Sequence, residues 1–191
     1  MQKSDWLGWA CIGLWCLTFV SLVLFLKLQY LVWLSNHTFL ILGIALLTKN
    51  RWLVYAEFCL GAISELVWSA DYLFTIITRK ELWGLTTYMF TQSGGFNWVH
   101  LYSISHLLFV PAALLGLVLL KGTITRAYLG SFAHMAVLWP LSFLFGSDLN
   151  LNCVFYDCKV LPFLPWYQVM WPVVIAMQAV LIYMLVRLVK K

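Results

Sequence analysis

Residues 6–26, WLGWACIGLWCLTFVSLVLFL, contain no charged side chain, and this run decides the class of fold. About 20 helical residues cross the roughly 30 Å of hydrocarbon in a bilayer, so a run of this length and composition is expected to span one. It follows a single lysine, is longer than a signal-peptide core and precedes no clear small-residue cleavage site, so it reads as a retained span.

Working outward, the rest of the chain follows the same rule. Of 191 residues, 63% are apolar and 10% are charged, whereas a soluble domain carries about 25% charge to cover its surface. Further apolar runs predict spans at 31–48, 52–74, 98–120, 126–146 and 167–188. Little remains for a soluble domain, so one all-helical transmembrane domain covers 1–191. The second span begins with the polar residues Ser35, Asn36, His37 and Thr38. Pro111, Pro140 and Pro172 fall inside spans, where kinks are tolerated if neighbours satisfy the freed backbone groups.

The net charge of +5 does not point to nucleic acid. The basic residues sit singly or in pairs at the ends of apolar runs, where they meet lipid headgroups. With six spans, Lys3, Lys49, Arg51, Lys121, Arg126, Arg187, Lys190 and Lys191 fall on one side of the membrane. Lys27, Arg79, Lys80 and Lys159 fall on the other. The positive-inside rule then places both termini in the cytoplasm of a multi-pass cell-membrane protein, by default a bacterial inner membrane. Trp52, Trp83, Trp98, Trp166 and Trp171 lie near span ends, where amphipathic rings anchor.

Polar groups in hydrocarbon are expensive and therefore candidate functional groups, although many only join helices through hydrogen bonds. The topology brings Ser35, His37 and Thr38, then Trp68 and Asp71, then Asn97, His100, Ser103 and His106, and finally Ser147, Asp148, Asn150 and Asn152 to the outer ends of four helices. Such a pocket has the parts for acid–base or nucleophilic chemistry, since an imidazole can take a proton from a hydroxyl while a carboxylate or amide orients it. Ser103 and His106 are three apart and share a helix face. The alternative is a hydrogen-bond network that holds the bundle together.

His100 and His106, six apart, do not share a face as the paired histidines of a helical zinc site do. No metal or cofactor is therefore expected, although ligands from separate helices (His37, His100, His106, Asp71) remain an alternative. Glu57 and Glu65 lie deeper in the third span and His134 in the fifth. A proton relay is one reading, but no inverted repeat supports transport. The preferred expectation puts Glu57 near the inner interface and leaves Glu65 protonated or paired with His134. Cys153 and Cys158 flank an outer loop where a disulfide is permitted; free thiols come second and a nucleophilic Cys153 third. Cys11, Cys16 and Cys59 read as small apolar residues. The stretch from Glu81 to Phe96, with Gly94-Gly95 for a turn, is expected to be a surface or re-entrant segment.

The stretches LVWSAD (66–71), GLTTYMF (84–90), SISH (103–106) with Pro111, and NLNCVF (150–155) resemble, in that order, motifs of a group of bacterial multi-span proteins of unassigned function. That group tends to have Trp where this chain has Cys153. His106 with Pro111, in a span preceded by Trp98, is also similar to the androgen-induced family of six-span lipid-ester hydrolases. That likeness implies His106 as the catalytic histidine and a threonine as its partner, for which Thr38 is the match and Ser35 and Ser103 are rivals. The resulting expectation is an intramembrane hydrolase or acyl-transfer enzyme acting on a lipid ester or other small apolar substrate. His106 is the base and Asp71, Asn150 or Asn152 orient it, while His37, His100 and Trp68 help bind the substrate. The alternatives are a non-catalytic lipid- or small-molecule-binding protein or assembly subunit, and a proton-coupled transporter.

Overall fold

A computed structural model describes residues 1–25, 27–91, 98–122, 124–148, 152 and 167–189, with the side chains at 88, 91, 98–103, 167, 169 and 189 outside that description. Among the described residues the chain is all-helical, with no strand. The helices are α1 (Lys3–Leu24), α2 (Leu34–Leu47), α3 (Arg51–Thr78), the single turn α4 (Thr87–Thr91), α5 (Trp98–Leu119), α6 (Tyr128–Phe143) and α7 (Tyr167–Val189). Apart from α4, each overlaps one of the six predicted spans. Among the described residues three helices are long and apolar enough to cross a membrane: Lys3–Leu24, Arg51–Thr78 and, within α7, Met170–Leu188. Their outer surfaces are greasy as well. Leu24 is 72% exposed, Ile77 78% and Met177 67%, which suits lipid better than water.

The predicted second span starts late. Leu28–Val32 forms a 3-10 turn, and α2 has only 14 residues, about 21 Å at 1.5 Å per residue. Its polar first turns tie the helix back to that turn. Asn36 Nδ2 donates to the Tyr30 carbonyl at 2.7 Å, and Thr38 Oγ1 donates to the Ser35 carbonyl at 3.1 Å. Each side chain places its donor on a nearby carbonyl, which lets a polar residue sit within an apolar run.

The long helix α3 is the spine, with α2, α5, α6 and α7 packed around it and α1 laid across α2 and α5. Asn50 caps it by accepting from the Leu53 amide at 3.0 Å, and it ends at Arg79 in the left-handed conformation. The core gathers Phe39, Leu42, Leu46, Val54, Tyr55, Phe58 and Phe109 around it. Two close approaches need glycine. A Cβ on Gly43 would stand 2.9 Å from the Gly8 carbonyl oxygen, so α1 and α2 touch backbone to backbone. A Cβ on Gly130 would stand 2.7 Å from both the Ala56 Cβ and the Trp52 ring, so α6 lies tight on α3. Ser131 Oγ strengthens that seam by donating to the Ala56 carbonyl at 2.7 Å. In apolar surroundings, small residues and interhelical hydrogen bonds of this kind are what hold helices together.

Pro111, Pro140 and Pro172 all lie inside helices. Across the bundle, Tyr55 Oη donates to the Tyr183 carbonyl at 3.0 Å and Gln178 Nε2 to the Leu60 carbonyl at 2.7 Å, fastening α7 to α3. At the base, Lys49 Nζ pairs with Asp5, and Trp52 Nε1 donates to the Thr125 carbonyl at 3.0 Å.

Candidate functional site

The tight seam between α3 and α6 sets up the main polar feature of the molecule. Gly130 and His134 are four apart, one turn along the same face of α6. With Gly130 pressed on Ala56, His134 is carried against the next residue of α3, Glu57. His134 Nδ1 lies 3.0 Å from Glu57 Oε1. The other ring nitrogen, Nε2, lies 2.7 Å from His37 Nε2, contributed by the first turn of α2. His37 Nδ1 in turn lies 3.2 Å from the Leu31 carbonyl oxygen in the 3-10 turn. Four groups from four elements thus form one unbroken chain: Leu31, His37, His134, Glu57. Glu57 is 1% exposed, and its second oxygen, Oε2, is buried without a hydrogen-bond partner among the described residues.

This chain forms part of the wall of a partly open cleft of about 580 Å³ between the 3-10 turn, α2, α3 and α6. The rest of that wall is almost wholly apolar, including Val32, Ile41, Ala133, Val137 and Leu141. An apolar concavity with a few convergent polar groups is the usual form of a small-molecule site.

A second histidine–carboxylate pair lies further along α3. Glu65 is eight residues beyond Glu57, about 12 Å along the axis and about 80° around it. Its Oε2 lies 2.6 Å from His106 Nδ1 of α5. The His106 ring stacks on Trp68 with centroids 3.9 Å apart, Trp68 stacks on Tyr72, and Tyr72 on Phe90. Both side chains of the pair are largely buried, at 13% and 5% exposure. His106 Nε2 has no hydrogen-bond partner among the described residues.

The polar residues expected at one depth therefore divide among separate hydrogen-bonded groups. His37 joins His134 rather than α5. Glu65 pairs with His106, and His134 with the buried Glu57; the expected pairing of Glu65 with His134 is replaced. Asp71, expected to orient His106, is fully engaged elsewhere. Its Oδ1 accepts from the amides of Trp83 (2.7 Å) and Gly84 (3.2 Å), and its Oδ2 from the amide and hydroxyl of Thr86 (both 2.8 Å). The LVWSAD and GLTTYMF stretches meet here, with Gly84 supplying a positive φ of 76° that suits the turn.

Asn152 is likewise a clasp. Its Oδ1 accepts from the Leu34 amide at 2.8 Å, and its Nδ2 donates to the Val32 carbonyl (2.7 Å) and Ser142 Oγ (2.8 Å). It fixes the start of α2, and with it His37, to the end of α6. Thr38 and Ser35 are buried, and the Thr38 hydroxyl is used within its own helix. The side chains of His100 and Ser103, and Asn150, Cys153 and Cys158 altogether, lie outside the described residues, as do Gly94 and Gly95. Cys11 and Cys59 are buried free thiols, and Cys16 is exposed. Among the described residues no three histidine, cysteine or acidic side chains group as a metal site.

No protein-family model, curated protein or solved structure matches this chain.

Proposed function

We propose that this chain is a six-span membrane protein, with both termini in the cytoplasm, that binds a small apolar or lipid-like molecule in the cleft between α2, α3 and α6. His37, His134 and Glu57 form the polar part of the wall that receives the head of that molecule. The observation that carries this reading is the unbroken chain Leu31–His37–His134–Glu57 on the wall of an otherwise apolar cleft. Two imidazoles and a carboxyl in series give an apolar wall one polar place at which a ligand head can be held. The same groups would be an expensive way merely to hold helices, because each is taken out of water. Exposed apolar faces on α1, α3, α5 and α7 and the distribution of lysine and arginine support the topology.

The test fills the cleft without touching the chain of hydrogen bonds. Val137 lines the cleft and is 62% exposed, so Val137→Trp occupies the space at little cost to the core. Lipid extracted from purified wild-type protein should contain an amphiphile in near-equal molar amount, and the variant should retain far less. Equal amounts in both, or none in the wild type, contradict the reading.

A second reading, hydrolysis of a lipid ester with His106 as base, is favoured by one observation. Glu65 holds His106 by Nδ1 and leaves Nε2 without a partner among the described residues, as a general base requires. It predicts esterase activity that His106→Ala abolishes and Glu65→Gln reduces. Active preparations indifferent to His106→Ala would dismiss it.

A further inference from the structure

The chain Leu31–His37–His134–Glu57 fixes its own proton count. The Leu31 carbonyl oxygen can only accept, so His37 Nδ1, at 3.2 Å, carries a hydrogen. Two nitrogens 2.7 Å apart must share one hydrogen, since two would clash and none would leave two lone pairs facing. The contact between His134 Nδ1 and Glu57 Oε1, at 3.0 Å, also needs one. Three links therefore hold three protons. Two neutral imidazoles account for two, and the third is the proton of the Glu57 carboxyl. Sliding protons along the links moves charge within the chain but leaves its net charge at zero.

The unpartnered Glu57 Oε2 favours the form with the proton on Glu57. A bare carboxylate with one oxygen sealed against apolar walls is far more costly than the carbonyl oxygen of an acid. Among the described residues no lysine or arginine lines the cleft. Among the described residues the positions along the chain left without a donor are all acceptors: the buried Oε2, and the second lone pairs of Glu57 Oε1 and the Leu31 carbonyl.

We infer that the cleft takes an uncharged amphiphile whose head donates a hydrogen bond, a long-chain alcohol or a lipid with a free hydroxyl, to the Glu57 carboxyl. This rests on the cleft being a binding site. The terminal torsion of a glutamate is soft, so a small rotation of the carboxyl presents Oε2 to a hydroxyl seated above it. An anionic head would face only acceptors, and a cationic head would displace the shared proton.

The experiment measures binding of four probes with one chain length to the full-length protein in nanodiscs: oleyl alcohol, oleyl methyl ether, oleate and oleylammonium. Oleyl alcohol should bind tightest. The ether, which cannot donate, should bind about tenfold more weakly, and oleate at least about a hundredfold more weakly, given the cost of an unpaired buried charge. Oleylammonium should bind at least about tenfold more weakly, because displacing a proton leaves one link of the chain without a hydrogen. Glu57→Gln should keep alcohol binding within roughly threefold, because an amide can donate to His134 and still present an oxygen to the ligand. Glu57→Leu should lose it. Should that variant fail to fold, Val137→Trp supplies the loss. Tight binding of either ion, or equal binding of alcohol and ether, overturns the inference while leaving a binding cleft. Binding of none of the four overturns both it and the function proposed above.

Discussion

Two histidine–carboxylate pairs are hung from one helix, and their surroundings set them apart. Glu57 holds His134 at the wall of a cleft, and the second nitrogen of that imidazole passes directly to His37. Glu65 holds His106 beneath an aromatic stack of Trp68, Tyr72 and Phe90. The same two residue types make a series of proton links in one place and a single clamped imidazole in the other. What decides between them is the third neighbour: a second imidazole in the first, an indole face in the second.

The largest expected effect comes from removing each carboxylate in turn. Glu57→Leu and Glu65→Leu should each cost up to about 3 kcal/mol in denaturation measured in mixed micelles, because each leaves an imidazole nitrogen buried without its partner. Only Glu57→Leu should also empty the cleft of its amphiphile. If Glu65→Leu empties it equally, the two pairs are one functional unit and the comparison collapses.

Next in size is Asp71→Ala. It leaves three amides and a hydroxyl of the 83–86 loop without their acceptor, at about 2 kcal/mol in all because the released loop reaches water. Hydrogen exchange at Trp83, Gly84 and Thr86 should accelerate while retention of ligand in the cleft is unchanged. Unaltered exchange would mean that Asp71 is not the anchor of that loop.

The smallest effect is expected for Trp68→Leu, about 1 kcal/mol for loss of the stack on His106 and Tyr72. It should again spare the cleft.

Most of the helical layout was legible in the sequence, because apolar run length directly reports helices in a bundle of this kind. The run from 6 to 26 and α1, or 167–188 and α7, differ by only a few residues. The second run did not reveal the 3-10 turn at Leu28–Val32, since an apolar segment looks alike in either helix type. Composition also showed that His37, Glu57, Glu65, His106 and His134 were costly residues to bury. It could not show which carboxylate meets which imidazole. Glu57 and Glu65 differ by about 80° around α3, so the choice rests on the rotation and depth of α5 and α6 against it. Gly130, one turn before His134, was the available signal: a small residue there lets α6 close on α3 and brings His134 to Glu57.

The central claim is that His37, His134 and Glu57 form one hydrogen-bonded chain holding three protons. Nitrogen-15 NMR of the histidine side chains in membranes tests it most directly. Cross-peaks should show His37 protonated at Nδ1 and one proton coupled between the two Nε2 atoms, a pattern preserved in Glu57→Gln and lost in His134→Ala. Independent histidine signals, with no coupling between His37 and His134, would contradict it.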